Sequence, residues 1–268
     1  KVIANAGFGS NNAKIYCYST SEPTLNRWNI RNADGNGLRL NSAHISVQNS
    51  LLRGNTENGL YIQTSNPVVN NTNINFNGQA GIHMTTSASL PNFSSTVSSN
   101  NLYGIYYPTS NLSITKPLGT LTLTANTYNG ICLPGGYITD SQRWYALPST
   151  FPIFIMDDLY VGRYYDKCRL TIEPGNTIKM APGKKIQIGY NSPYGGELYA
   201  VGAADSLITF TSINGLNGGW EGLIFNTHSD VYSASSVMNY CVVEKGNGFN
   251  LSVESTNTPA INNCVFRN

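Results

Sequence analysis

The amino-acid sequence predicts an all-β solenoid, a parallel β-helix with coils of about 22 residues, on three observations. A glycine-aliphatic motif recurs at a nearly constant step. Each copy alternates apolar and polar residues as a strand does. No segment carries a sustained 3.6-residue apolar period.

The motif is a glycine, an aliphatic residue, one free position and a second large apolar residue. It stands as Gly37-Leu38-Arg39-Leu40, Gly59-Leu60-Tyr61-Ile62, Gly81-Ile82-His83-Met84, Gly104-Ile105-Tyr106-Tyr107 and Gly130-Ile131-Cys132-Leu133, at steps of 22, 22, 23 and 26 residues. An earlier copy, Lys14-Ile15-Tyr16-Cys17, keeps the period without the glycine. A unit this short cannot bury an apolar face alone, so equivalent units must stack. Period 2 places Leu38/Leu40, Leu60/Ile62 and Ile82/Met84 inward and Arg39, Tyr61 and His83 outward. Asn55, Asn77, Asn100 and Asn126 lie four residues before their glycines and Asn32 five before the first. Glycine and asparagine both tolerate positive φ, so both are expected where the coil changes direction. Leucine-rich repeats share the period, but their Leu-x-x-Leu-x-Leu signature is absent.

The second half carries the same alternation with different punctuation. From Leu170 to Ile188 apolar strands alternate with Pro-Gly turns at Pro174-Gly175 and Pro182-Gly183. Further rungs are expected at Leu207-Ile208-Thr209-Phe210, Trp220-Glu221-Gly222-Leu223-Ile224-Phe225 and Tyr240-Cys241-Val242-Val243. Four cues, Leu170-Thr171-Ile172-Glu173-Pro174-Gly175, Gly196 to Gly202, Ile208 to Ser212 and Trp220 to Phe225, resemble the opening coils of the secreted bacterial right-handed parallel β-helix repeat proteins of pectate-lyase-like fold. The Asn-x-x-x-Gly-Ile coils of the first half resemble later coils of the same family. The resemblance implies a right-handed helix. It leaves function open among lyases, epimerases, adhesins and stalks.

Ile15 to Asn32 aligns with Leu251 to Asn268 without a gap, pairing Ser19, Thr20, Pro23, Asn26, Arg31 and Asn32 with Ser255, Thr256, Pro259, Asn262, Arg267 and Asn268. This suggests a longer repeat. Residues 1–134 then read as the terminal coils of one β-helix array and 135–268 as an irregular join, around Trp144 to Tyr165, followed by the opening coils of the next. Together they form one continuous solenoid. No capping helix is evident at either end, so further copies are expected to continue both, covalently or by stacking. The start, Lys1-Val2-Ile3-Ala4-Asn5, does not open like a signal peptide.

Of the 268 residues, 40% are apolar, enough for a sizeable interior, and only 11% are charged. Sixteen basic residues against 14 acidic ones, spread without runs, offer no stripe for a phosphate backbone, so nucleic acid is not an expected partner. No apolar stretch is long enough for a membrane span. Cys17, Cys132, Cys168, Cys241 and Cys264 show no zinc or redox spacing and read as scattered core residues; their odd number leaves at least one thiol without an internal partner.

Catalytic chemistry finds little to build on, and no catalytic, metal or cofactor-binding residue is assigned. Asp157-Asp158 is the one acidic pair, and adjacent strand residues face opposite sides. Glu221 reads as surface. His44, His83 and His228 fall in separate coils with no Ser/Asp partner, Gly195-Gly196 reads as a turn, and only Thr120 to Thr124 has the Thr-x-Thr pattern of an ice-binding face. Asn70, Asn92, Asn111 and Asn250 begin glycosylation sequons, as expected by chance in a chain rich in Asn, Ser and Thr.

The outward column beside the motif is Tyr16, Arg39, Tyr61, His83, Tyr106 and Cys132. Stacked about 4.8 Å apart, these side chains would form a candidate contact ladder for sugar rings or for a laterally packed neighbour. The expected function is a non-catalytic extracellular or cell-surface structural module, such as a filament subunit, stalk or adhesin segment. Its expected partners are further copies of itself, head-to-tail or lateral, or glycans. The alternative is a carbohydrate-binding or carbohydrate-processing β-helix of the lyase or hydrolase type.

Overall fold

The computed structural model describes residues 2–4, 13–18, 22–85, 91–107, 119–166, 168–190, 193–226, 236–254 and 259–268. His228, the sequon at Asn111, and the aligned pairs Ser19/Ser255 and Thr20/Thr256 lie outside them. The described chain forms two compact units that meet in sequence between Cys132 and Leu133. All regular structure among the described residues is β-strand, and none of it is a helix able to cross a membrane.

The first unit is a three-sided parallel coil. One side stacks Ala13–Tyr18, Asn36–Asn41, Leu60–Gln63, Ala80–Met84, Tyr103–Tyr106 and Tyr128–Leu133. The second stacks Thr24–Asn26, Ser46–Gln48, Val68–Asn70 and Asn92–Ser94. The third stacks Asn29–Arg31, Leu51–Arg53, Asn73–Asn75, Thr96–Ser99 and Leu121–Thr124. One antiparallel strand, Val2–Ala4, pairs with the first of these. The alternation read from sequence is what buries Leu38, Leu40, Leu60, Ile62 and Ile82 completely.

The corners are where the structure departs from the expectation about glycine. Gly37, Gly59, Gly81, Gly104 and Gly130 are not among the positive-φ residues. The left-handed corners fall instead in columns of other residues: Arg27, Asn49, Asn71 and Ser95; Asn32, Gly54, Phe76, Asn100 and Ala125; Ser42 and Thr64. The motif glycines are required by space. A Cβ on Gly59 would meet the Ile74 side chain, the Asn77 amide at 2.7 Å and the Gly81 carbonyl at 3.0 Å; Gly37, Gly81 and Gly104 are pressed in the same way by the next coil.

The asparagine column departs from the expectation as well: Asn55, Asn77 and Asn126 are not at positive φ, and only Asn32 and Asn100 turn a left-handed corner. The buried amide ladder runs through Asn55, Asn77, Asn101 and Asn126, because Asn100 is taken up as an exposed left-handed corner. Asn55 N and Nδ2 donate to Asn77 Oδ1, at 3.2 and 2.8 Å. Asn77 donates in turn to Asn101 Oδ1, and Asn101 to Asn126 Oδ1, each at 3.0 Å. A second amide ladder joins Asn58 Nδ2 to Asn36 Oδ1 at 2.8 Å. Each ladder satisfies polar groups that the coil buries.

The second unit is again three-sided. Its stacks are Ile153–Ile155, Thr177–Met180, Ile208–Ser212, Cys241–Glu244 and Val265–Arg267; Gly136–Ile138, Leu159–Val161, Lys185–Ile188, Gly222–Phe225 and Leu251–Val253; and Gln142–Trp144, Arg169–Ile172, Glu197–Val201, Val237–Asn239 and Ala260–Asn262. Successive rungs of the first stack are 25, 32, 33 and 23 residues apart, so insertions at the corners stretch the period. The segment from Trp144 to Tyr165 is not an irregular join. It contributes strands to all three stacks, and Trp144, Ile153, Ile155, Leu159 and Val161 are fully buried. Strands of three residues separated by Pro148 and Pro152 are too short to show a period in sequence.

The gapless alignment of Ile15 to Asn32 with Leu251 to Asn268 brings strand onto strand, Thr24–Asn26 onto Ala260–Asn262 and Asn29–Arg31 onto Val265–Arg267. Arg27 and Asn263, both left-handed, coincide between them. A shared coil phase accounts for that much of the agreement.

Candidate contact surface

Strand register places five of the six ladder residues on one accessible face of the first unit. Tyr16 pairs with Arg39, Arg39 with Tyr61, Tyr61 with His83 and His83 with Tyr106, each on a neighbouring rung. All five are half-buried. The Arg39 guanidinium carbon lies 5.7 Å from the Tyr16 ring and 4.9 Å from the Tyr61 ring, a cation between two π faces. The Tyr61 and His83 rings are 4.8 Å apart and those of His83 and Tyr106 are 4.9 Å apart. Tyr103 extends the row, 5.3 Å from Tyr106 and 5.4 Å from Tyr128. At the other end Asn41 Nδ2 donates to the Tyr16 hydroxyl at 3.1 Å.

Cys132 does not belong to this surface. It pairs in register with Tyr106 but is fully buried, because the strand is covered along Gly130 to Leu133 and no longer alternates between core and solvent. Burial pushes its thiol well above the ordinary range.

Beside the row an open cleft of about 410 Å³ is lined by Asn58, Gln79, His83, Leu102, Tyr103 and Tyr106. Desolvation pulls His83 down to about 4, so its imidazole is neutral at physiological pH. Burial also raises Tyr103 and Tyr106, which keeps both phenols protonated. The lining therefore offers ring faces, amides and neutral hydrogen-bonding groups. It contains no carboxylate with which to protonate a glycosidic oxygen.

The acidic pair is held elsewhere. Asp157 makes an ion pair with Lys184 at 2.7 Å, and Asp158 accepts from the Tyr160 hydroxyl at 3.0 Å and from the Lys185 backbone N–H at 3.1 Å. Glu221 is exposed. His44 Nδ1 accepts from Asn66 N–H at 3.2 Å. Among the described residues no three His, Cys, Asp or Glu side chains gather as metal ligands.

The second unit holds an aromatic surface that the sequence reading missed. Tyr137 and Tyr160, paired in register, stack at 5.0 Å with an interplanar angle of 20°. Tyr190 packs edge-on against both at 5.5 and 4.9 Å, and Tyr194 connects it to Tyr164 at 5.1 Å. Tyr137 is 49% exposed, Tyr164 56% and Tyr165 66%. Burial and the bond to Asp158 push the Tyr160 phenol up to about 12. The 23-residue step from Tyr137 to Tyr160 was a readable signal. Tyr164 and Tyr194 meet through an antiparallel pair, which no repeat announces.

The fold and these surfaces define an all-β right-handed parallel β-helix. Residues 1–117 match a family model described as right handed beta helix region. That match falls on the asparagine-rich coils and not on Leu170 to Phe225, where the turn cues are strongest. No curated protein and no solved structure matches the chain.

Proposed function

We propose that the chain is a non-catalytic structural or surface module acting outside the cell, and that it packs laterally against a further copy through the row Tyr16, Arg39, Tyr61, His83 and Tyr106. The observation that carries this reading is the continuous file of half-buried side chains on five successive rungs, four rings and the Arg39 guanidinium, each against the next. Such a row supplies large contact area at small side-chain entropy cost. A chain rich in Asn, Ser, Thr and Tyr and only 11% charged suits close lateral packing without like-charge repulsion.

A second reading, carbohydrate binding, is favoured by the exposed stacked faces of Tyr137 and Tyr160 and by the amide-lined cleft beside His83. One set of variants separates the two. Tyr61→Ala combined with Tyr106→Ala is expected to weaken self-association, read by sedimentation equilibrium, by about tenfold or more, since each central aromatic contact contributes about 1–2 kcal/mol. Unchanged association would overturn the lateral-packing reading. Binding on a glycan array that is lost with Tyr137→Ala would favour the carbohydrate reading.

A further inference from the structure

We propose that Cys241 and Cys264 are the two halves of a cross-coil disulfide, a covalent staple between neighbouring rungs of the second unit. Cys241 opens the strand Cys241–Glu244, and Cys264 stands immediately before Val265–Arg267. The two strands pair in parallel with Val242 opposite Val265 and Val243 opposite Phe266. The register is already set upstream, since Tyr240 N–H donates to the Asn262 carbonyl at 3.3 Å and Asn263 Nδ2 to Asn239 Oδ1 at 3.0 Å. One step back from Val242 and Val265, the two cysteines therefore face each other on the same side of the sheet.

Neighbouring parallel strands lie about 4.8 Å apart, inside the Cα separation of about 4.4–6.8 Å that a disulfide spans. From a rung spacing of about 4.8 Å, their Cβ atoms need to approach by about 1 Å to reach the usual bridged distance of about 3.8 Å. Both thiols are free, and the Cys264 thiol is directed to the Asn262 carbonyl at 3.1 Å. Elsewhere the register sets Cys17 opposite Leu40 and Cys132 opposite Tyr106.

The two sulfurs differ in a way that orders the chemistry. Cys241 is buried, with its thiol directed to the Ala200 and Asn239 carbonyls at 3.4 and 3.5 Å. Burial pushes its pKa up to about 12, so little thiolate forms there. Cys264 is only half-buried and lies within reach of a small oxidant. With oxidised glutathione, the Cys264 thiolate attacks one sulfur, the glutathione disulfide bond breaks, and one glutathione thiolate leaves and takes up a proton. Cys241, deprotonated in turn, attacks the Cys264 sulfur and expels the second glutathione. Two protein thiols are oxidised and one glutathione disulfide is reduced to two thiols. The staple closes a 23-residue loop, one full coil, and ties the Val265–Arg267 strand to its neighbour.

The test equilibrates the full chain in glutathione buffers of increasing oxidised fraction, quenches with acid, and alkylates in guanidinium before intact-mass measurement and peptide mapping. The expected result is alkylation of three of the five cysteines. It comes with a mass lower by about 2 Da for the lost protons, Cys241 and Cys264 recovered in one joined peptide pair, and amide exchange over Val265–Arg267 slowed by about tenfold. Cys264→Ser, a change at the more exposed partner, should leave all its remaining thiols alkylatable. The proposal is overturned if all five thiols still react after the most oxidising buffer, or if Cys264 is recovered joined to glutathione or to a second chain while Cys241 stays free.

Discussion

Asn77 illustrates how much a single side chain carries in a coil of this kind. Its Oδ1 accepts from Asn55 N and Nδ2, and its Nδ2 donates to the Leu52 carbonyl at 3.3 Å and to Asn101 Oδ1 at 3.0 Å. It is buried, so water cannot replace these partners. Asn77→Ala should therefore lose about 3 kcal/mol in urea unfolding, because the neighbouring rungs keep buried donors and acceptors without partners. A loss below about 1 kcal/mol would mean that the ladder is not under this strain. The spacing in sequence singled out Asn55, Asn77 and Asn126, but as corner residues of positive φ; they are buried ladder residues instead, and only Asn32 and Asn100 of that column are left-handed. Asn100 keeps the four-residue spacing to Gly104, yet it turns the corner while its neighbour Asn101 turns inward, which only the backbone decides.

At the scale of the element, the motif glycine is explained by the next coil and not by its own φ. Gly59 leaves no room for a methyl group against the Ile74 side chain, Asn77 Nδ2 and the Gly81 carbonyl. Gly59→Ala should cost about 1–3 kcal/mol, as overpacking in a closed interior does, with weakened amide protection on both the Leu60–Gln63 and Ala80–Met84 strands. Native-like protection with an unchanged urea midpoint would refute this. The recurrence of glycine was visible in sequence, but its cause was not, since a close approach between residues 22 apart is a property of stacking. The same distinction applies to Trp144 to Tyr165, whose short strands acquire their identity from the rungs they pair with.

For the molecule as a whole, burial of a row of rings ties stability to pH through His83. Its folded pKa lies near 4 against an ordinary 6.5, so between those values the unfolded chain binds more protons than the folded one. Stability then rises with pH across that window and falls as the solution is acidified through it. His83→Phe keeps an aromatic ring between Tyr61 and Tyr106 and removes this contribution, which is on the order of 2 kcal/mol once solvent screening is discounted. Urea midpoints measured from pH 4 to pH 7 should slope less steeply in the variant than in the parent. Parallel curves would show that His83 is hydrated and titrates normally.

The amino-acid sequence alone determined that the chain winds into stacked parallel coils, which strands face inward, and which residues form the column from Tyr16 to Tyr106. These follow from period and alternation, and the period of a chain is readable along it. The tertiary structure decided what depends on neighbours about a coil apart: the burial of Cys132, the crowding around the glycines, the tyrosine surface around Tyr137 and Tyr160, and the pairing of the strands beside Cys241 and Cys264. Contacts between rungs depend on register and on the length of each corner, and the corners of the second unit stretch its steps to as many as 33 residues, beyond any fixed repeat.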